Sequence, residues 1–215
     1  MLLNIFLLLN ERNIFCIKFV LEFEFGVYFF ENTMYNNTNI KNVHNGCNII
    51  PGGTDMTRTN AREIAIHFTF ELSFSTLSAD ELLDEFFNRD YFALLGEEEP
   101  LYAEFPNEKQ RAYICALVRG AFEHGAELDG YIEKYAVGWR FSRIGRVAAA
   151  IMRVAMYEIL YMPDIPNAAA INDAVEIAKS YEGEETVKFI NGILGSFVRG
   201  EHIPDPASSA VAEED

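Results

Sequence analysis

A helical spacing of apolar residues, sustained from residue 56 to residue 200, is the feature that most restricts what this chain can fold into. The pattern is clearest over residues 164–199, where two amphipathic stretches are joined by a short charged turn. The first stretch has apolar residues at i, i+3, i+4 and i+7: Ile171, Ala174, Val175 and Ala178. No six residues within 56–200 alternate with the period of a strand. The sequence therefore predicts an all-α fold, a compact bundle of six to seven helices.

Several polar residues stand where helices are expected to begin. Ser78 and Glu81 have the S-x-x-E spacing of a capping box, in which each side chain accepts a hydrogen bond from the other residue's backbone N–H. Thr57 or Thr59 can cap the first helix of the bundle, and Ser142 can cap a later one. These signals predict helix starts near residues 58, 79 and 143.

The expected breaks divide the bundle into two groups of helices. Residues 96–106 contain an acidic run and two prolines, and they are predicted to form a solvated loop between the groups. The long pattern that follows, over residues 107–138, places Tyr113 and Phe122 on its inner face. Gly125 is expected to break or bend that helix.

The two stretches in residues 164–199 predict a helical hairpin. Pro166 suits the first turn of its first helix, and Asp164 is the expected cap. Gly192 and Gly195 lie inside the second helix, where each costs about 1 kcal/mol relative to alanine. That cost indicates that another helix, or a ligand, closely approaches the backbone at Gly192.

The two ends of the chain differ from this helical part. Residues 1–55 are rich in Phe, Ile and Asn, a composition that AT-rich DNA encodes when it is read through without selection. They have neither the basic start nor the cleavage site of a signal peptide, and charges interrupt every window long enough to span a membrane. We expect translation to begin naturally at Met56, which makes residues 1–55 a non-native or disordered leader. Residues 201–215 are expected to be a disordered acidic tail.

The net charge and the number of cysteines indicate which kinds of partner and which cellular compartment suit this protein. The net charge of −16 would make the surface as a whole repel nucleic acid. Three cysteines without metal-ligand spacing fit a cytoplasmic protein in a reducing environment.

The histidines, acids and glycines form no pattern typical of a catalytic site. Glu63 and His67 are spaced i, i+4, but two ligands without a third do not make a metal site, and the spacing indicates a pair on a helix surface. No phosphate-binding glycine loop, HExxH sequence or Gly-x-Ser-x-Gly sequence occurs. The sequence therefore predicts neither an enzyme nor a bound cofactor.

Five motifs in order carry a resemblance to a known family. They are Ala61-Arg62-Glu63, Ile151-x-Arg153-x-Ala155-x-Tyr157-Glu158-Ile159-Leu160, Asp164-Ile165-Pro166, the run from Ala170 to Lys179, and Lys188-Phe189-Ile190-Asn191-Gly192-Ile193-Leu194. Their order and spacing over residues 56–199 resemble those of the transcription antitermination factor NusB family.

The resemblance implies both a fold and a function. The family is all-helical, with two three-helix groups, and its domain would here occupy residues 56–200. Its members bind boxA RNA together with the ribosomal protein NusE, in a transcription complex with other Nus factors, and suppress termination in ribosomal RNA operons. A helical adaptor that binds proteins and no RNA is the alternative.

The resemblance also implies an RNA site at the start of the first helix. The family's arginine-rich segment corresponds to residues 58–62, where Arg58, Thr59, Asn60 and Arg62 are the candidate RNA contacts. Only two of the five residues are arginines, so the isolated protein is expected to bind RNA modestly. The alternative is that both arginines are ordinary solvated residues of a first turn.

Other candidate RNA contacts lie outside that segment. Phe70 falls where the family often has an aromatic residue near RNA, although it could equally be a core residue. Phe189 lies off the apolar stripe of its helix, so its ring is available for base stacking. Lys188 beside it can meet a phosphate, and Asn191 completes the set.

The protein partner is expected on an acidic surface. Residues 56–200 hold 14 Lys and Arg against 23 Asp and Glu, a balance of −9, which suits a basic ribosomal protein. The resemblance places NusE near Glu127, Asp129 and Glu133, for which a solvated acidic face is the alternative. The next helix carries three arginines on one stripe: Arg143, Arg146 and Arg153. They could bind phosphate, but we expect them to form the solvent-exposed (wet) face of an amphipathic helix.

Overall fold

The computed structural model describes residues 56–138 and 143–206, apart from the side chain of Glu98. These residues form eight α-helices and a short 3₁₀ turn, with no strand. The helices are α1 (Arg58–Leu72), α2 (Ala79–Phe86), α3 (Arg89–Glu98), α4 (Glu108–Glu123), α5 (Gly125–Tyr135), α6 (Arg146–Tyr161), α7 (Asn167–Tyr181) and α8 (Glu184–Gly200). The all-α prediction is confirmed, with eight helices where six to seven were expected. The predicted leader, the Ser142 cap and residues 207–215 lie outside the described residues.

Side chains cap several of the helices, and those of α1 and α2 are the caps that the sequence predicts. The hydroxyl of Thr57 accepts a hydrogen bond from the Asn60 N–H at the start of α1. Ser78 and Glu81 form the complete capping box of α2. A second capping box, formed by Asn107 and Gln110, starts α4. Each cap satisfies backbone N–H groups that have no partner inside the helix.

The predicted solvated loop over residues 96–106 is correct only in part, because residues 103–106 are outside any helix but the rest of the segment is not a solvated loop. The structure has the end of α3 and a 3₁₀ turn, Pro100–Tyr102, in this segment, and Tyr102 is only 1% exposed. The Tyr102 ring packs edge-on against Phe92, at 5.5 Å between centroids. Gly96 permits this packing, because a Cβ there would lie 2.7 Å from the Tyr102 carbonyl oxygen. Acidic and proline residues indicated a loop, but a buried tyrosine holds the segment against the core.

Helix α6 is the central element of the bundle. It packs against α1, α4, α5, α7 and α8, and most of its residues are buried. Gly120 of α4 allows the closest approach, since a Cβ at that position would overlap the ring of Tyr157. The predicted break of the long helix is confirmed at His124, between α4 and α5. The inward placement of Phe122 is wrong, because its side chain is 49% exposed.

The helical hairpin of α7 and α8 is confirmed, with two corrections. Pro166 occupies the N-cap position of α7, so Asp164 does not cap the helix. A Cβ at Gly192 would meet no atom within 4 Å, so no neighbouring helix described in the structure explains that glycine. The Gly192 backbone instead faces open space among the described residues.

The chain after α8 stays in contact with the helices as far as Pro204. Glu201 accepts hydrogen bonds from Lys134 and Tyr135 of α5, and Asn167 donates to the Pro204 carbonyl at 3.1 Å. Among the described helices, none combines the length and the apolar character needed to cross a lipid bilayer.

Candidate nucleic-acid interface

The start of α1 presents one available arginine. Arg58 is exposed, and its guanidinium carbon lies 5.6 Å from the centroid of the Tyr113 ring on α4. No carboxylate among the described residues lies within ion-pair distance of Arg58. The capped first turn of α1 holds this side chain at the surface, where a guanidinium can bind a phosphate through two parallel hydrogen bonds.

The second predicted arginine contact, Arg62, is buried. Its side chain is 5% exposed and donates from Nε to Glu158 at 2.8 Å and from Nη1 to Asp173 at 2.5 Å. Burial by itself would lower the pKa of Arg62, but the hydrogen bond and charge of Glu158 raise it, so the guanidinium stays charged. Both sequence-based interpretations of Arg62, a direct RNA contact and a solvated first-turn residue, are corrected by this burial.

Thr59 belongs to the same buried cluster. Its hydroxyl donates to Asp173 at 2.9 Å, and the hydroxyl of Tyr113 donates to Glu158. The cluster therefore connects the start of α1 to α4, α6 and α7, with Arg62 at its centre. We name these residues the anchor cluster: Thr59, Arg62, Tyr113, Glu158 and Asp173. Its hydrogen bonds hold the first turn of α1, and therefore Arg58 and Asn60, in one position.

Phe70 lies at the other end of α1. It is half-buried, and its ring centroid is 4.9 Å from that of the exposed Phe74. Arg58 and Phe70 are twelve residues apart along the helix, which corresponds to about 18 Å. The candidate contacts on α1 are therefore spread along the helix, so one nucleotide cannot meet both.

Helix α8 carries the remaining candidates, and two of them, Lys188 and Asn191, lie on one open face with Gly192. Lys188, Asn191 and Gly192 are spaced i, i+3 and i+4, and all three are exposed. Phe189 beside them is half-buried. Lys188 pairs with Glu184 at 2.7 Å, in a contact where both side chains are more than 70% exposed. Such a pair contributes little and can exchange for a phosphate.

His67 and Glu63 do not form the expected pair on the surface of α1. The ring nitrogens of His67 contact the hydroxyls of Tyr102 and Tyr181, each at 2.7 Å, and Tyr181 donates to Glu63 at 2.6 Å. Because the Tyr181 proton is committed to Glu63, its oxygen accepts from His67 Nε2–H, and Tyr102 donates to Nδ1. Burial lowers the pKa of His67 to about 4, so the imidazole is neutral at pH 7.

The three residues of α5 that are expected to bind the protein partner, Glu127, Asp129 and Glu133, differ in how freely their carboxylates can reach it. Arg153 of α6 donates twice to Asp129, at 2.6 and 2.7 Å, and both side chains are largely covered. The wet-face prediction is therefore wrong for Arg153, although Arg143 and Arg146 are exposed. Glu133 is also exposed.

Glu127 lies in an aromatic cluster that the sequence patterns did not reveal. Its carboxylate accepts from Tyr161 at 2.9 Å and contacts His124 Nδ1 at 2.9 Å, and these hydrogen bonds lower the pKa of Glu127. Tyr161 is 41% exposed and stacks on Tyr157 at 4.9 Å. The i, i+4 spacing of the two tyrosines was the available signal. Within the described part of the chain, no group of three or more metal-ligating side chains is close enough to hold a metal ion.

Sequence comparisons identify the relatives of this chain. The model of the NusB family matches residues 59–199. The transcription antitermination protein NusB of Acetivibrio thermocellus is 42% identical over 144 residues, which cover 67% of this chain and 90% of the relative. The protein of the same name from Symbiobacterium thermophilum is 37% identical over 160 residues, covering 74% of this chain and all of the relative.

Solved structures share the fold. T. maritima NusB aligns with a TM-score of 0.54 at 28% identity, over 70% of this chain and 96% of that one. A structure of antitermination factors NusB and NusE in complex with double-stranded RNA aligns with a TM-score of 0.54 at 24% identity, over 66% of this chain and 96% of that one. At that identity the second likeness concerns the fold alone.

Proposed function

The chain belongs to the NusB family, and we infer from this membership that it is a transcription antitermination factor, which binds boxA-type RNA together with NusE. The observation that carries the inference is the match over residues 59–199, which includes the anchor cluster and both helices of the hairpin. In this role the protein suppresses termination in ribosomal RNA operons, within a complex that contains other Nus factors. A role in transcription implies the cytoplasm.

The RNA contacts that we propose are exposed or half-buried polar and aromatic side chains on α1 and α8. On α1 they are Arg58, Asn60 and Phe70, and on α8 they are Lys188, Phe189 and Asn191. The open backbone at Gly192 supports this placement, because nothing described in the structure occupies the space above it. Thr59 and Arg62 are positioning residues and not RNA contacts in this proposal, because their hydrogen bonds within the anchor cluster hold the first turn of α1 in place.

The proposed NusE surface lies on α5 and the adjoining end of α6. Glu127 and Glu133 supply negative charge for a basic ribosomal protein, and the exposed Tyr161 supplies apolar area beside them. Asp129 contributes indirectly, because Arg153 already binds its carboxylate and joins α5 to α6.

Binding to a boxA-type RNA, measured by fluorescence anisotropy with and without NusE at several salt concentrations, tests the function. We expect weak binding by the chain alone and tighter binding with NusE. Arg58→Ala should lower the affinity and reduce the slope of log K against log salt by about 0.7, the value for one phosphate contact of a single strand. Absence of RNA binding even with NusE present would favour the helical adaptor.

Phe189→Ala tests the proposed contact on α8. We expect RNA affinity to fall at least about fivefold, because one stacked base is worth roughly 1–3 kcal/mol. The melting temperature should change little, since the apolar stripe of α8 is formed by other residues, which are buried: Val187, Ile190, Leu194 and Phe197. A large fall in melting temperature would place Phe189 in the core and remove it from the RNA site.

A further inference from the structure

Where α1 ends and α6 begins, an exposed aromatic residue meets an arginine that has no carboxylate partner among the described residues. Phe74 follows α1 by two residues, and its side chain is 51% exposed. The guanidinium carbon of Arg146, the first residue of α6, lies 4.1 Å from the centroid of the Phe74 ring. The ring of Phe70 contacts Phe74 from within α1, at 4.9 Å between centroids. Phe74 thus joins Arg146 to a candidate RNA contact.

Arg146 is available for a ligand, although the protein is acidic. Among the described residues, no carboxylate lies within ion-pair distance of Arg146. Six other cations in the same part of the chain do have carboxylate partners: Arg62, Arg119, Lys134, Arg153, Lys179 and Lys188. An arginine stacked on an aromatic ring keeps its N–H groups free at the edge of the guanidinium plane.

The packing of the bundle does not account for this arrangement. About half of the Phe74 side chain faces solvent, so it seals little of the core. A half-exposed aromatic ring beside a guanidinium group is the kind of surface on which unpaired RNA bases stack.

The neighbouring hairpin turn favours a base over a phosphate at this position. A Cβ at Gly145, the residue before α6, would lie 3.5 Å from a carboxylate oxygen of Glu182, which follows α7. That carboxylate places negative charge at the start of α6, where a phosphate would otherwise be attracted. Base stacking needs no net positive charge, so Glu182 opposes it much less.

We propose that Phe74 and Arg146 form a stacking platform for an unpaired base of the RNA, which continues the RNA site past Phe70 toward the turn between α7 and α8. This inference rests on the proposed RNA-binding function. The segment at residues 58–62 has only two arginines, which lowers the expected affinity for RNA. The platform restores part of that RNA affinity.

The test measures anisotropy of a labelled boxA-type RNA in the presence of saturating NusE. Phe74→Ala should weaken binding about tenfold, because it removes one stacked base, and should leave the salt dependence unchanged. Phe74→Trp should keep the affinity within about twofold, since it retains a stacking face. Leu94→Ala is the matched control, because Leu94 is exposed to almost the same extent, 48% against 51%, on α3. Arg146→Ala should weaken binding several-fold, against Arg89→Ala as the control, because Arg89 is an exposed arginine on α3 that also lies over an aromatic ring, that of Phe105, at 4.6 Å.

The outcomes separate this inference from the proposed function. If the wild type binds the RNA and Phe74→Ala binds it with the same affinity, the platform is overturned and the RNA-binding function stands. If Phe74→Ala weakened NusE binding while RNA affinity in the preformed complex stayed the same, the platform would be a protein contact and the inference would fail. No RNA binding by the wild type would overturn both. Thermal melting of each variant checks that the fold is retained.

Discussion

Replacing Arg62 with alanine is expected to lower the free energy of unfolding by about 3–5 kcal/mol. The substitution leaves the carboxylate of Glu158, which is 0% exposed, without the cation that compensates its burial. It also removes the connection from α1 to Asp173 on α7. For a domain of this size the melting temperature should fall by roughly 10 °C.

Denaturant unfolding at pH 7 measures this effect, and Arg58→Ala is the matched control. Arg58 is the same residue type four positions earlier, but it is exposed, so its removal should change stability by less than about 0.5 kcal/mol. A double variant, Arg62→Met with Glu158→Met, should recover much of the loss, because it removes both buried charges. A loss below about 1 kcal/mol in Arg62→Ala would show that Arg62 is not held by the anchor cluster.

The second large effect is a dependence of stability on pH that comes from His67. Its pKa is lowered from 6.5 to about 4 in the folded protein, so the unfolded chain binds the proton more readily. The His67 contribution to stability is complete above pH 6.5 and is lost progressively as the pH falls toward 4. Between pH 7 and pH 5 the free energy of unfolding should fall by about 2 kcal/mol from this residue.

Comparison with His67→Gln isolates that contribution. Burial raises the pKa of the neighbouring Glu63, and the effect of Glu63 on stability has the opposite dependence on pH. The folded protein binds the Glu63 proton more tightly than the unfolded chain does, so the free energy of unfolding falls as the pH rises through the range in which this carboxyl group titrates. The wild type should therefore lose about 2 kcal/mol more than His67→Gln between pH 7 and pH 5. Parallel losses in the two proteins would show that His67 is readily protonated in the folded state.

Local features of the fold could be predicted because a few neighbouring residues encode them. The capping box of Ser78 and Glu81, the Thr57 cap and the break before Gly125 all depend on residues within one helical turn. The segment from Gly96 to Tyr102 could not be predicted in this way. Its prolines and acids are typical of a loop, whereas its place against the core depends on Phe92 and the close approach at Gly96.

The candidate site was only partly predictable for the same reason. The motifs identified the family, and Arg58, Lys188 and Asn191 are exposed as an RNA contact requires. The pairing of Phe74 with Arg146 joins residues 72 positions apart, and no periodicity along one helix indicates it.

The sequence by itself determined that the described part of residues 56–200 is helical, where several of the helices begin, and which family the chain belongs to, because helical periodicity, caps and motifs are local patterns. The tertiary structure decided what each arginine does. Arg58 and Arg62 stand one helical turn apart in the same segment, yet Arg62 faces Glu158 and Asp173, which are 96 and 111 residues away, while Arg58 faces solvent. A buried guanidinium is stable only when carboxylates meet it in space, and helix packing alone brings those carboxylates together.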